Sequence, residues 1–427
     1  MNRHYDSALR PHLQKRLEEI QETEIFIGIP CFNNEDTIVH VIQAVSHGLF
    51  EHFRERKAVI MVADGGSTDD TRDQARDFEI RPWQEKVVTI YRGIGGKGSA
   101  LRAIFEAAFR LKARACACVD SDLRSINPDW MKHLLDPVLE RDYEFVAPVY
   151  SRYKYDGTIT NNVVYNLVRA VYGKRIRQPI GGDFAFSHRL ARHYLEQEVW
   201  GTDIARFGID IWMTLNAVVE EARICQANLG VKVHDAKDPS EALGPMFRQV
   251  CGTMFSLMEE HQAFWEKVEG SEAVPTFGLA DYQEPDPIEV NQPRMVREFQ
   301  EGMRLFGSLY REVFSADISR EIVRAAELPP EAFHFPVECW VKLVYELAAK
   351  YHHLQEHRMK LLGIMTPLYL GRVASFINDT RDMTSREAEE LVEVQARAFE
   401  ELKPYLVRVW KDQPHLKRAE AGLANHG

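Results

Sequence analysis

Four short apolar runs within the first 120 residues, each closing on a polar or glycine-bearing turn, constrain this chain more than any other feature. Ile25–Ile29 reads as a buried strand closed by Pro30, and Ala58–Ala63 runs into the turn Asp64-Gly65-Gly66-Ser67-Thr68. Val87–Tyr91 leads into a turn holding Gly95-Gly96-Lys97-Gly98, and Ala115–Val119 is followed by Asp120-Ser121-Asp122. Between the runs, apolar residues recur at helical spacing: Ile38, Val41, Ile42, Val45 and Leu49 in a segment opening at Asp36, then Leu101, Ile104, Phe105, Ala108 and Phe109. Short buried runs alternating with amphipathic helices predict an α/β fold with a mostly parallel sheet and helices on both faces. Ser67 or Thr68 is offered as a cap for the helix after the second run. Ligands of such sheets bind at the carboxyl ends of strands, so the turns are where function is expected.

The pattern changes near residue 273. A stretch with Pro275, Pro285, Pro287 and Pro293 tolerates neither helix nor central strand, and beyond it nearly everything has helical period. Val296, Phe299, Met303, Phe306 and Tyr310 form one stripe, and Trp340, Val344 and Leu347 belong to another. Thr384 with Glu387 has capping-box spacing before a last helix that Pro404 interrupts. The expected organisation is a sheet domain with an N-terminal helix over 1–272, a linker over 273–293 and a helical domain over 294–427, two domains being the usual outcome for 427 residues. A homo-oligomer through the helical domain is left open.

The net charge of -11 gives no bulk attraction to nucleic acid or to an anionic membrane. No run approaches the roughly 18 apolar residues of a spanning helix, and the charged start lacks an apolar signal segment, so a cytoplasmic protein with no membrane partner is expected. The six cysteines are scattered, and the close pair Cys116 and Cys118 lies in a strand-like run, so all six read as reduced core residues.

Several residues offer chemistry, each beside a plainer reading. Asp120 and Asp122 at a strand end can face one crevice and hold a divalent cation and a ribose hydroxyl, or cap the helix starting near Pro128. Lys97 among glycines supplies a point charge for phosphate or a solvated turn; its glycine interval is not that of the Walker loop. Asp64 accepts hydrogen bonds from a nucleobase or ribose, or closes its own turn, and Glu35 has the same ambiguity. Gly181-Gly182, followed by an acid, marks a tight bend or backbone brought against a ligand. Asp210 opens a helical pattern and serves either the helix dipole or a substrate. His234, after a strand-like run, is a metal ligand or a structural histidine.

Taken in order, IPCFNNEDTI, ADGGSTDD, GKGSALRAI, VDSDL, QPIGGDF, FGID and NLGVKVHD resemble the GT-A type glycosyltransferases. More narrowly they resemble the retaining enzymes that make glucosylglycerate, mannosylglycerate and glucosyl-3-phosphoglycerate. The resemblance covers residues 25 to about 240 and implies a Rossmann-like nucleotide-sugar domain followed by a helical one. It implies that Asp122 and His234 bind Mn2+ or Mg2+, that Lys97 contacts the nucleotide, and that Asp64 and Asp120 line the base and ribose site. Pro30, Glu35 and Ser121 join the donor site, Gly181 and Gly182 lie under the sugar, and Asp210 stands beside the acceptor. The first turn departs from relatives by reading Asn33-Asn34-Glu35 rather than Asn-Glu-Glu.

Arg152 and Asp156-Gly157-Thr158-Ile159-Thr160 resemble the acceptor loop of the mannosylglycerate enzymes, with Arg152 on a carboxylate and Thr160 and Asp210 on the carboxylate or hydroxyls. The phosphoglycerate enzymes place an arginine for the phosphate where Thr158 stands. The expectation is therefore a glucosyl or mannosyl transfer from a nucleotide diphosphate sugar to D-glycerate, with 3-phosphoglycerate as the alternative acceptor through Lys154, Lys174, Arg175 or Arg177. A sugar nucleotidyltransferase would carry a basic glycine-rich loop after the first strand, where IPCFNNED has none. A non-catalytic nucleotide-sugar-binding protein would not need the acids and His234. A lipid acceptor would call for an exposed apolar face in the helical tail, whose stripes instead look sized to pack together.

Overall fold

The computed structural model describes residues 7–233, 239–278, 283–412 and 416–425. The chain forms two compact units: the first takes Met1–Ser151, Ile176–Asp235 and Val274–Gln283, the second Arg152–Arg175, Ala236–Ala273 and Glu284–Gly427. The expected boundaries at 272 and 293 therefore need correction. Segments 152–175 and 236–273 belong with the helical tail, and residues inside the expected linker return to the sheet.

The first unit is built on an eight-stranded sheet. Its strands are β1 (Ile25–Cys31), β2 (Ala58–Asp64), β3 (Glu85–Ile90), β4 (Ala115–Cys118), β5 (Phe145–Ser151), β6 (Phe184–Ser187), β7 (Ile224–Val231) and β8 (Thr276–Phe277), in the order β8-β7-β5-β6-β4-β1-β2-β3. Every pairing is parallel except those of β6, which runs antiparallel to β4 and β5. The helices are α1 (Pro11–Ile20), α2 (Ile38–His52), α3 (Thr71–Asp77), α4 (Lys97–Arg110), α5 (Asp129–Glu140), α6 (His188–Glu196) and α7 (Ile209–Val219).

β1 and β2 are buried along their whole length, which is why they read as unbroken apolar runs rather than alternating ones. Ile25, Ile27, Ile29 and Cys31 point into a core shared with Val41, Val45 and Leu49 of α2 and Trp130, Leu134 and Val138 of α5. On the other face α4 packs so closely over β1 that a Cβ on Gly28 would collide with Ile104. β1 does not stop at Pro30, as the sequence suggested, but continues to Cys31. The reason is directional. Gly28 turns its carbonyl toward β4, accepting from Val119 N, so Pro30 two residues on faces the same side, where β4 has already ended and no ladder donor is needed.

Ser67 does not cap the following helix; its hydroxyl goes to Asp64, and Asp69 accepts from Thr71 N instead. All six cysteines are buried and free.

Among the described residues the second unit is mainly helical, with a two-residue pairing of Lys174–Arg175 with Glu272–Ala273. A π-turn at Thr160–Val164 leaves carbonyls that side chains take up: Thr158 O accepts from Asn162 Nδ2, Asn161 O from Asn166 Nδ2 and Gln395 Nε2, and Asn162 O from Trp340 Nε1. The Thr384–Glu387 capping box forms as expected, and Pro404 sits in the first turn of a new helix, Lys403–Lys411. Gln355–Asp379 is long and apolar enough to cross a membrane, which corrects the expectation that no such run exists; 72% of its apolar window is buried within the structure, as in a core helix.

Candidate active site

Strand ends of the first unit bring five charged side chains together. Lys97, the first residue of α4, places Nζ 2.8 Å from Asp120 Oδ1 and 3.1 Å from Asp210 Oδ2, with the Gly182 carbonyl at 3.5 Å. Asp120 lies just past β4, and Asp210 is in the first turn of α7. Lys232, just past β7, donates to Asp183 Oδ2 and the Gly181 carbonyl, both at 2.8 Å, and reaches Asp120 Oδ2 at 3.4 Å. Asp183, fully buried, accepts from the Asp120 backbone N at 2.8 Å and from the Tyr150 hydroxyl.

Burial pulls the Lys97 ammonium down, but Asp120 and Asp210 more than offset it and leave its pKa raised. Burial pushes Asp120 up, yet Lys97 and Lys232 outweigh that and hold it well below the usual carboxylate range. For Asp210, burial together with the nearby Asp120 charge wins over the pull of Lys97, and its pKa is raised. Asp210 Oδ1 is buried and accepts no hydrogen bond among the described residues.

The remaining candidates have varied settings. The Asp64 carboxylate is fully buried and accepts from Gly66 N, Ser67 N and the Ser67 hydroxyl at 2.5–3.2 Å, so it closes its own turn. Glu35 accepts from Asp70 N at 2.9 Å, and its own N donates to Asp69, tying the turn after β1 to the one after β2. Ser121 donates to Asn34 Oδ1 at 2.7 Å and accepts from Thr37 on its carbonyl. Pro30 is buried in β1 with no polar side chain to offer. The glycines around Lys97 have a use the sequence reading did not anticipate: a Cβ on Gly98 would strike the Ile204 carbonyl, and one on Gly96 would lie 2.6 Å from the Ala205 carbonyl. They admit the 204–206 backbone, whose Arg206 O accepts from Gly98 N at 3.1 Å. Gly182, at φ +92°, lies directly against the Asp120 carboxylate.

Arg152, Asp156, Thr158 and Thr160 belong to the second unit. Arg152 Nη1 is 3.0 Å from Asp156 Oδ2, the Thr158 hydroxyl pairs with Tyr369 OH at 2.7 Å, and Thr160 is buried in the π-turn. His234 lies outside the described residues.

Residues 26–200 match the model for Glycosyl transferase family 2. The chain carries a glycosyl transferase family 2 domain. The matched region contains Lys97, Asp120 and Asp183, while Asp210 and Lys232 lie beyond it. No curated protein matches the chain. Crystal structures of glucosyl-3-phosphoglycerate synthase from Mycobacterium tuberculosis are similar to it. The complex with Mn2+, uridine diphosphate and glucosyl-3-phosphoglycerate shares 24% identity at a TM-score of 0.42, covering 59% of this chain and 85% of that one. The complex with Mg2+ and uridine diphosphate shares 25% at 0.43, covering 57% and 82%.

The residues around this cluster are rich in carboxylates, the ligands a hard cation prefers. Both oxygens of Asp120 are held by lysines, and Asp122, half-buried two residues on, is the second acid of this turn. Val233 N donates to Ser125 Oγ and its carbonyl accepts from Arg124 N, both at 2.9 Å, so the last described residue before His234 is tied to the turn carrying Asp122. Two ammonium groups face three carboxylates in the cluster. A cation fits that excess. Elsewhere Glu51, His52 and Asp129 bring three ligand atoms together, but they are surface groups that share no residue with this site.

The sequence reading missed Lys232, Asp183 and Tyr150. Asp183 stood in the quoted QPIGGDF, and its signal was an acid opening the buried run Phe184–Phe186. Lys232 is a lysine just past a strand-like run, a weaker signal.

Proposed function

We propose that the chain is a retaining hexosyltransferase that moves glucose or mannose from a nucleotide diphosphate sugar to D-glycerate, yielding a glucosylglycerate-type compatible solute in the cytoplasm. The observation that carries the reading is the Lys97 ammonium bridging Asp120, which like Lys97 lies within the family 2 match, and Asp210, which lies just beyond it in a second motif far away in sequence. Retention rests on the motif resemblance.

Asp120, immobilised by two lysines and the Gly182 backbone, keeps a second lone pair on each oxygen for ribose hydroxyls. Asp64 acts through the turn it closes, presenting the Gly65–Gly66 backbone to the base. Asp210 Oδ1 gains its missing hydrogen bond from a hydroxyl of the sugar or acceptor, which removes the cost of leaving a buried acceptor unpaired. Lys97 exposes more of its side chain than Lys232, 16% against 4%, and its longest partner is the Gly182 carbonyl, so that N–H is the one that turns to a donor oxygen. A divalent cation, Mn2+ or Mg2+, bound by Asp122 and His234 supplies the positive charge that stabilises the departing diphosphate.

The second reading, 3-phosphoglycerate as acceptor, needs a cation for the phosphate. Thr158 supplies none, and its hydroxyl is engaged by Tyr369. Lys154 spends its ammonium on the carbonyls of Thr380, Arg381 and Met383 at 2.6–3.0 Å, Lys174 pairs with Glu272, and Arg175 bonds Ser271. Of the four basic residues named for a phosphate these engagements occupy Lys154, Lys174 and Arg175 and leave Arg177 to be tested, and they favour glycerate, with Arg152 gripping its carboxylate in competition with Asp156. The test is a donor panel scored for nucleotide release with Mn2+ or Mg2+, followed by specificity constants for glycerate and 3-phosphoglycerate and by proton NMR of the anomeric signal. Release without a hexosyl product, a better 3-phosphoglycerate constant, or a β product from an α donor overturns the corresponding part.

A further inference from the structure

We infer that Lys232 is a positioning residue of the transfer reaction, fixing the Gly181–Gly182 turn and the Asp120 carboxylate through protein contacts rather than binding the leaving diphosphate; this rests on the donor-site reading above. An ammonium has three N–H donors. Those of Lys232 meet Asp183 Oδ2 and Gly181 O at 2.8 Å and Asp120 Oδ2 at 3.4 Å, and the side chain is 4% exposed. No donor remains for a phosphate, and solvent hardly reaches the group. The same ammonium lies 4.9 Å from the centre of the Tyr150 ring, whose hydroxyl also donates to Asp183.

The consequence is a single buried junction joining four strand ends. Asp183, entering β6, receives Lys232 from the end of β7, Tyr150 from β5 and the Asp120 backbone from the end of β4. The sugar-bearing turn and the acidic turn are thereby referred to one carboxylate. Removing Lys232 leaves Asp183 buried without its counter-charge, and the two turns lose their common anchor. Removing both charges relieves the first defect, so the two substitutions are coupled rather than additive.

The experiment compares wild type, Lys232→Met, Asp183→Asn and the double variant, using the donor that wild type turns over and its nucleoside diphosphate with Mn2+. A wild type that turns over no donor refutes the functional reading and this inference with it; once wild type is active, only the inference is at stake. The expected result is that Lys232→Met lowers kcat about 100-fold, the effect of misplacing reacting groups by about an ångström. The Kd for the nucleoside diphosphate changes by less than about 3-fold, since no contact to it is lost. The double variant recovers at least about 10-fold of that kcat. A rise in Kd of about 10-fold or more with kcat kept at saturating donor makes Lys232 a phosphate ligand and overturns the inference, as do additive effects of the two substitutions. If Lys232→Met does not fold, the same Kd and kcat are read from the double variant, which leaves neither charge uncompensated: a wild-type Kd with lowered kcat supports the inference, and a raised Kd with kcat intact overturns it.

Discussion

Replacing Gly182 with Ala adds one methyl group at the point where the Gly181–Gly182 turn meets Asp120. Two costs follow. At φ +92° the backbone is in a region that L residues occupy at about 1–2 kcal/mol. The new Cβ would also strike Asp120 Oδ2 and sit 2.9 Å from its Cγ, where ordinary contact begins at 3.4 Å. The carboxylate must retreat by roughly 0.5 Å or more, yet it is held by Lys97 at 2.8 Å and Lys232 at 3.4 Å, so relief strains two ion pairs and adds the usual overpacking cost of about 1–3 kcal/mol. The first unit should lose about 2–5 kcal/mol in all. Turnover should fall by about 100-fold, because the displaced carboxylate is the one proposed to hold the donor ribose.

Gly278→Ala is the control. Its φ is +88°, and its Cβ would meet Asn228 O at 3.0 Å and His133 Nδ1 at 3.1 Å, neither of them a candidate site residue. It should cost stability by the same backbone strain and leave kcat within about 3-fold. The assay is thermal unfolding of both variants beside kcat and KM for nucleotide release at saturating metal. Equal kcat losses in the two variants, or a Gly182→Ala enzyme with wild-type kcat, would refute the claim that the Gly182 backbone and the Asp120 carboxylate are fitted to each other.

Asp122→Ala and His234→Ala should each lower metal-dependent turnover by about 100-fold or more, and full activity of either in chelator would contradict the metal assignment. Asp210→Asn should separate stability from activity: the raised pKa of Asp210 shows that its ionised form is disfavoured by burial, so the amide should hold or raise the unfolding temperature while turnover falls, and a clear loss of stability would count against this. His261, buried and bonded to Tyr172 OH, has its pKa pulled by burial from 6.5 to about 4, so the unfolded chain takes up the proton first. Stability present above pH 6.5 is then lost as pH falls toward about 4, by at most about 1.4 kcal/mol per pH unit; denaturant midpoints from pH 7 to 4 should fall less steeply in His261→Gln, and equal slopes would exclude His261 as the source.

The sheet was legible because its central strands are buried on both faces and therefore appear as bare apolar runs, as in Ile25–Ile29 and Ala58–Ala63. What periodicity cannot carry is the partner of an element. The helix Tyr165–Tyr172 and the segment 236–273 have the same amphipathic signature whether they cover the sheet or join the helical unit, so the interleaving of the two units left no mark. The return of β8 was hidden for a different reason: two residues between Pro275 and Gly278 are too few to show a strand period.

In the site, residues at strand ends were found and residues that hold them were not. Lys97, Asp120 and Asp210 stand at turns or a helix start, where a charged residue interrupts an apolar pattern and is visible as an interruption. Asp183 and Lys232 neutralise each other in the interior, and nothing in one stretch of sequence reports a partner about fifty residues away. The glycines beside Lys97 show the converse limit. They were read as allowing close backbone approach beside a lysine for phosphate, and a glycine does mark close approach, but the sequence does not say of what; at Gly96 and Gly98 it is the Ala205 and Ile204 carbonyls that come close. A ligand contact inferred from glycine alone is thus indistinguishable from backbone packing, whereas the contact proposed for Asp210 rests on a second observation, a buried oxygen that accepts no hydrogen bond among the described residues.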